Sequence, residues 1–233
     1  MEINMFGGRK MDKNYLLKLF TACLDADYVT VEDSGSFAMY RSGGTLYVFF
    51  EKSNGAVDWY NNLDFTAISR ARGDMGEKRA QHSPTEDDFL CHGGFLRVWR
   101  AILPYIEGAL LDLSFENIVT VGYSHGAALA LLCHEHVWYH RRDLRERVQG
   151  FGFGCPRVIY GHVPMEKERW GNFYLIRNLD DLVTHLPPRA FGFREVGRLF
   201  EIGRRGQYSR IDAHREENYI LSLDSLGADA LQT

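Results

Sequence analysis

The stretch Thr120-Val121-Gly122-Tyr123-Ser124-His125-Gly126-Ala127-Ala128-Leu129-Ala130 decides the fold. In front of Ser124 the β-branched apolar run Ile118-Val119-Thr120-Val121 reads as a buried strand. Behind it Ala127 to Cys133 is small and leucine-rich, which reads as a buried helix. Gly122 and Gly126 each lie two residues from Ser124, where Cβ atoms would collide as a strand turns sharply into a helix. In that setting Gly-x-Ser-x-Gly is a nucleophile elbow. It holds a seryl oxygen up for attack, with the N–H groups and positive dipole end of the helix aimed at any oxyanion formed there. The plain alternative is a glycine-flanked helix start with serine as N-cap, and the strand in front of the motif weighs against it.

Working outward, residues 13–25 place Tyr15, Leu16, Leu19, Phe20 and Cys23 at helical spacing, which predicts an amphipathic helix. Phe37–Tyr40 and Thr45–Phe50, parted by Arg41-Ser42-Gly43-Gly44, predict a hairpin. Residues 54–64 carry Ala56, Trp59, Tyr60 and Leu63 on one helical stripe and Asn54, Asp58, Asn61 and Asn62 on the other. Residues 69–88, rich in glycine and charge, read as a surface loop. Phe95, Val98, Trp99, Ile102, Ile106 and Leu110 mark a long helix that Pro104 is expected to kink or split. Beyond the elbow helix, which runs to about His140, strands are expected at Val148–Gly154, Asn172–Arg177 and Val196–Ile202, with a closing helix at Glu216–Leu226. Strands alternating with helices predict an α/β fold, a mostly parallel central sheet flanked by helices, in a single domain over residues 1–233.

Composition is the usual globular mixture, with 45% of residues hydrophobic and 25% charged, which speaks against a disordered or fibrous class. A net charge of −4 removes the electrostatic case for nucleic acid as a partner. The basic run Arg141-Arg142-Asp143-Leu144-Arg145-Glu146-Arg147 reads as a solvated, dipole-matched helix end. Cys23, Cys91, Cys133 and Cys155 are widely spaced, as buried thiols in a reducing compartment would be. The first ten residues lack the apolar core of a signal peptide, and no apolar run is long enough for a transmembrane segment, so the expected location is cytoplasmic. His134, His136 and His140 with Glu135 lack metal-ligand spacing and read as a solvated helix face, so no metal is expected. No phosphate-binding or dinucleotide glycine loop is present, and no cofactor is implied.

A seryl hydroxyl is a poor nucleophile at neutral pH and needs a base, held in turn by an acid. On a nucleophile elbow of this kind the order along the chain is Ser, Asp/Glu, His. His125, His134, His136 and His140 ride on the elbow helix, and His162 precedes the candidate acids. His185 is four residues from Asp181 and followed by Leu186-Pro187-Pro188, with little freedom to swing, which leaves His214 as the base. The acid lies in Asn178-Leu179-Asp180-Asp181-Leu182, directly after a predicted strand, where a carboxylate projects from the sheet edge beside the elbow.

These residues resemble the lipase class 3 group, the fungal-lipase-like α/β-hydrolases, over roughly residues 36–222. Five stretches carry the resemblance in the family's order: Val48-Phe49-Phe50-Glu51-Lys52-Ser53 followed by Asp58-Trp59; His92-Gly93-Gly94-Phe95; Gly122-Tyr123-Ser124-His125-Gly126; Phe153-Gly154-Cys155-Pro156-Arg157-Val158; and Asp181-Leu182-Val183-Thr184-His185-Leu186-Pro187-Pro188. His214 and Tyr219 match the family's closing His and Tyr. The resemblance selects Asp181 over Asp180 and implies an oxyanion hole from the backbone N–H of His125 and from Ser53. It also implies a lid at residues 54–64, with Trp59, Tyr60 and Leu63 facing substrate. One departure stands out, because relatives often carry Arg-Gly where this chain has Glu51-Lys52.

The resulting expectation is a serine carboxylic-ester hydrolase of lipase or esterase type, acting on a small ester or lipid and touching lipid interfaces transiently. Ser124 is the expected nucleophile, His214 the base and Asp181 the orienting acid. Two further readings stay open: a catalytically dead hydrolase fold that binds a partner or acyl ligand, and an acyltransferase using the same triad.

Overall fold

The computed structural model describes residues 12–31, 35–52, 67–70, 89–161 and 167–226. A seven-stranded sheet runs through the molecule in the order β1 (Val29–Val31), β2 (Gly35–Ser42), β3 (Thr45–Phe50), β6 (Asn117–Tyr123), β7 (Val148–Phe153), β9 (Phe173–Asn178), β11 (Arg198–Ile202). From β3 to β11 every pairing is parallel, while β1 and β2 add an antiparallel edge. The β2–β3 hairpin turns on Gly43 and Gly44, both at positive φ, which an L side chain would resist.

Both faces of the sheet are covered, as a parallel sheet requires. On one face α2 (Gly93–Leu110) and α3 (His125–His140) pack with Leu46, Val48 and Ile118; on the other α1 (Lys13–Leu24) and α5 (Glu216–Asp224) pack with Phe49, Val119 and Val121. Successive residues of β3 and β6 thus feed opposite cores, the period of two that defines a strand.

Several expectations are corrected. Of the two outcomes expected at Pro104, a split does not occur: α2 runs through it, with Pro104 on the exposed side of the helix, away from the core stripe of Trp99, Ile102, Leu103 and Ile106. The third expected strand begins at Arg198 instead of Val196. A second, antiparallel sheet, β10 (Phe193–Arg194), β8 (Ile159–Tyr160), β5 (Phe89–His92) and β4 (Ala67–Arg70), was not legible in such short runs. Ser69 and Arg70 therefore belong to β4, and the remainder of the expected 69–88 loop lies outside the described residues.

Helix α3 is buried almost all round, so His134 and His136 are not on a solvated face: both are fully buried, as is Glu135, while His140 is exposed. Glu135 pairs with buried Arg169 of α4 (Lys167–Gly171), and the His134 ring nitrogen Nε2 lies 3.3 Å from the Arg169 carbonyl. Desolvation pushes the His134 pKa down to about 4, so the ring is neutral where it sits. Arg141 is likewise buried instead of solvated, donating to the Leu110 and Asp112 carbonyls at 3.3 and 2.7 Å beyond the end of α2 and pairing with Asp143.

Candidate active site

Strand β6 ends at Tyr123, α3 begins at His125, and Ser124 forms the bend between them with φ 56° and ψ −121°. A non-glycine residue at positive φ costs roughly 1–3 kcal/mol and persists only where its surroundings enforce it. Here the Ser124 N–H donates to the Phe153 carbonyl at 2.9 Å, and its carbonyl accepts from Ala127 N–H at 3.0 Å. Glycine is required on both sides: a Cβ at Gly122 would run into the backbone of Gly126, and one at Gly126 into the carbonyls of Phe50 and Glu51.

Three side chains from the C-terminal end of the parallel sheet meet at this bend. His214 Nε2 lies 2.8 Å from Ser124 Oγ, and His214 Nδ1 lies 2.8 Å from Asp181 Oδ2. With a carboxylate at Nδ1 that nitrogen donates, and Nε2 is left to accept the seryl proton. Asp181 is fully buried and its charge is met by three donors: His214 Nδ1 and Tyr219 Oη (2.6 Å) on Oδ2, and the Val183 N–H (2.9 Å) on Oδ1. Burial and the Asp181 charge beside it raise the Tyr219 phenol well above its ordinary pKa, so it stays a donor.

The base is fixed from several directions. The Tyr123 ring stacks on His214 at 5.1 Å between centroids, and its hydroxyl donates to the His214 carbonyl. Gly154, at φ +59°, gives the imidazole room, since a Cβ there would stand 2.8 Å from His214 Cε1. Asn178, fully buried at the end of β9, donates to the Ala213 carbonyl at 2.9 Å and accepts from Ser222 Oγ at 2.9 Å, tying the acid strand to the base segment. Tyr123 and Asn178 were missed in the sequence; the only signal was an aromatic inside the Gly-x-Ser-x-Gly and a polar residue closing an apolar strand. Tyr219 entered through the family resemblance alone.

Two neighbouring acids are engaged elsewhere. Asp180 accepts from the Gly206 N–H at 2.5 Å, and Asp212 accepts from Ser209 Oγ at 2.6 Å and pairs with Arg215. Desolvation, with Arg177 and Arg157 near, holds His185 below its ordinary pKa.

The oxyanion side is built by contact. His125 is the first residue of α3, so its N–H points out of the helix N-terminus. Desolvation, with His92 close by, pushes its ring pKa down to about 4. Glu51 and Lys52 continue β3 over the bend, and the Lys52 ammonium turns to pair with Glu216 at the start of α5. Ser53, Trp59, Tyr60 and Leu63, with the 54–64 lid segment, lie outside the described residues. No group of three or more metal-ligating side chains occurs among the described residues.

A strand, a strained serine and a helix at the carboxyl end of a mostly parallel sheet define an α/β-hydrolase. The family model Lipase (class 3) matches residues 47–191, and the chain belongs to that family. It is 26% identical over 173 residues to a lipase of Rhizomucor miehei, spanning 68% of this chain and 42% of that protein. It is 27% identical over 164 residues to a secreted mono- and diacylglycerol lipase of Malassezia restricta, spanning 64% of this chain and 50% of that protein. The chain thus covers about half the length of these relatives or less. Its fold is similar to the solved Rhizomucor miehei triacylglyceride lipase, with a TM-score of 0.64 at 20% identity over 83% of this chain and 82% of that one. The expected cytoplasmic location draws no support here, since the Malassezia relative is named as secreted. No helix among the described residues is long and apolar enough to cross a membrane.

Proposed function

We propose that this chain is a serine carboxylic-ester hydrolase that cleaves acyl esters of the acylglycerol kind through an acyl-enzyme. Ser124 Oγ attacks the ester carbonyl carbon as His214 Nε2 takes its proton, and Asp181 holds the imidazole in the tautomer that can do so. The tetrahedral oxyanion is received by the His125 N–H and, on the family resemblance, by Ser53. His214 then gives the proton to the departing alcohol, and a water deprotonated by the same nitrogen releases the acid and restores Ser124.

The observation that carries this reading is the unbroken run of two 2.8 Å contacts from Ser124 Oγ through His214 to Asp181, on a bend that holds Ser124 at positive φ. Ser124→Ala should lower turnover of a p-nitrophenyl ester on the order of a million-fold. Wild-type turnover by that variant would overturn the assignment. A fluorophosphonate probe that labels wild type and not Ser124→Ala excludes a purely binding role, and product analysis with a competing alcohol separates hydrolysis from acyl transfer.

The relatives' names support lipid esters as the substrate class. On the family resemblance we assign a lid role to residues 54–64 and a substrate-contacting role to Trp59, Tyr60 and Leu63, and take the whole as one domain. Replacing all three by serine should lower activity on emulsified long-chain esters and spare a soluble short-chain ester; equal losses on both would remove the lid role.

A further inference from the structure

The chain is acidic overall, yet residues 189–215 carry seven arginines against three carboxylates. Those carboxylates are engaged within the segment and by Arg177: Glu195 with Arg177 and Arg189, Glu201 with Arg177, and Asp212 with Arg215. Arg204, Arg205 and Arg210 are exposed and make no ion pair among the described residues.

Their place in the fold gives them meaning. Strand β11 runs parallel to β9, pairing Ile202 with Asn178, so the chain leaves it at the same end of the sheet where β6 delivers Ser124 and β9 delivers Asp181. The loop from Gly203 to Ile211 is seated on the acid-bearing turn, with the Gly206 N–H on Asp180 and the Arg210 carbonyl accepting from the Leu182 N–H at 3.2 Å. It is tied locally by the Arg204 N–H on Gln207 Oε1 and leads straight into His214. Beside Arg210, Ile211 is 66% exposed, an apolar side chain with no core to fill.

We propose that this loop docks the enzyme on an anionic lipid surface, with Arg204, Arg205 and Arg210 meeting phosphate headgroups and Ile211 entering the acyl boundary. The proposal rests on the hydrolase reading, because that reading requires the carboxyl end of the sheet to face the lipid that holds the ester. Guanidinium groups match phosphate geometry, and a protein of net negative charge would otherwise be repelled by such a surface. Each basic side chain near an anionic membrane strengthens binding about fivefold, and the attraction fades within a Debye length.

The test uses the full chain carrying Ser124→Ala, so that vesicles are not consumed, and co-sedimentation with phosphatidylcholine vesicles with and without about 30 mol% phosphatidylglycerol. The parent should bind the anionic vesicles at least tenfold more tightly than the neutral ones and release them at about 0.5 M salt. Arg204→Gln/Arg205→Gln/Arg210→Gln should cut anionic-vesicle binding on the order of a hundred-fold, and Ile211→Ser should cut it several-fold. In the background with Ser124 intact, the triple variant should hydrolyse a soluble short-chain ester at the wild-type rate. Equal binding to both vesicle types, retention by the triple variant, or loss of its soluble-ester turnover would overturn the proposal. Binding to heparin as tight as to vesicles, with Ile211→Ser unchanged, would overturn the lipid assignment in favour of a soluble polyanion. Absence of ester turnover by the native chain would sink the hydrolase reading instead, and the vesicle result would show that failure to be separate.

Discussion

The two sides of the bend at Ser124 are held by different forces. On the base side, the exits of β9 and β11 are locked by buried bonds: Asp181 takes three donors, Asn178 ties the acid strand to Ala213, and Tyr123 holds the His214 carbonyl. On the oxyanion side, the exit of β3 lies against Gly126 by backbone contact, and the ion pair of Lys52 with Glu216 has side chains 41% and 30% exposed. A hydrogen bond to a charged group contributes roughly 1.5–3 kcal/mol, whereas an exposed ion pair contributes roughly 0–1. Geometry at the base is therefore set by polar chemistry, and geometry at the oxyanion side by shape.

Four substitutions break or sharpen that contrast. Asp181→Asn keeps the size of the side chain but favours the wrong imidazole tautomer, and kcat should fall about 10⁴-fold; a loss under about a hundredfold would mean the acid does not orient the base. Gly126→Ala drives a methyl into the Phe50 carbonyl and pushes the β3 exit off the bend, with kcat expected to fall on the order of 10² to 10³. A circular dichroism melt alongside tells displaced geometry from a failed fold. Tyr219→Phe removes one donor from Asp181 Oδ2, and steady-state kinetics should show kcat lowered about 10- to 100-fold with KM unchanged. Lys52→Met should be the mildest, under about fivefold in kcat with an almost unchanged melting midpoint. If Lys52→Met cost more than Tyr219→Phe, the order of buried over exposed would be inverted.

The same contrast explains what could be read from the chain. The bend was legible because only glycine fits where backbone meets backbone, at Gly122 and Gly126, and such spacing is visible in a string of letters. His214 was legible by order along the chain, since the other histidines lay on the elbow helix, ahead of the acids, or in a turn stiffened by Pro187 and Pro188. The residues alone did not separate Asp180 from Asp181; the family resemblance did, and the structure gives Asp180 to Gly206. What failed were polar residues on a helix buried all round. His134, Glu135 and His136 look solvated because polarity suggests water, but a helix wrapped by β6, β7, α2 and α4 has no wet face at that height. Arg141 misled for the same reason, its target being carbonyls thirty residues away in sequence. The short strands β4, β5, β8 and β10 pair across long separations and carry too few residues for a periodicity.

The Glu135–Arg169 pair gives helix α3 a keyed position. Were the helix to slide by one turn along its axis, a carboxylate would be stranded in hydrocarbon and a guanidinium left facing two aromatic rings, Phe89 and Trp170. The helix that begins at His125 is thereby pinned at a single height against the sheet, and the serine at its tip inherits that height as a fixed coordinate.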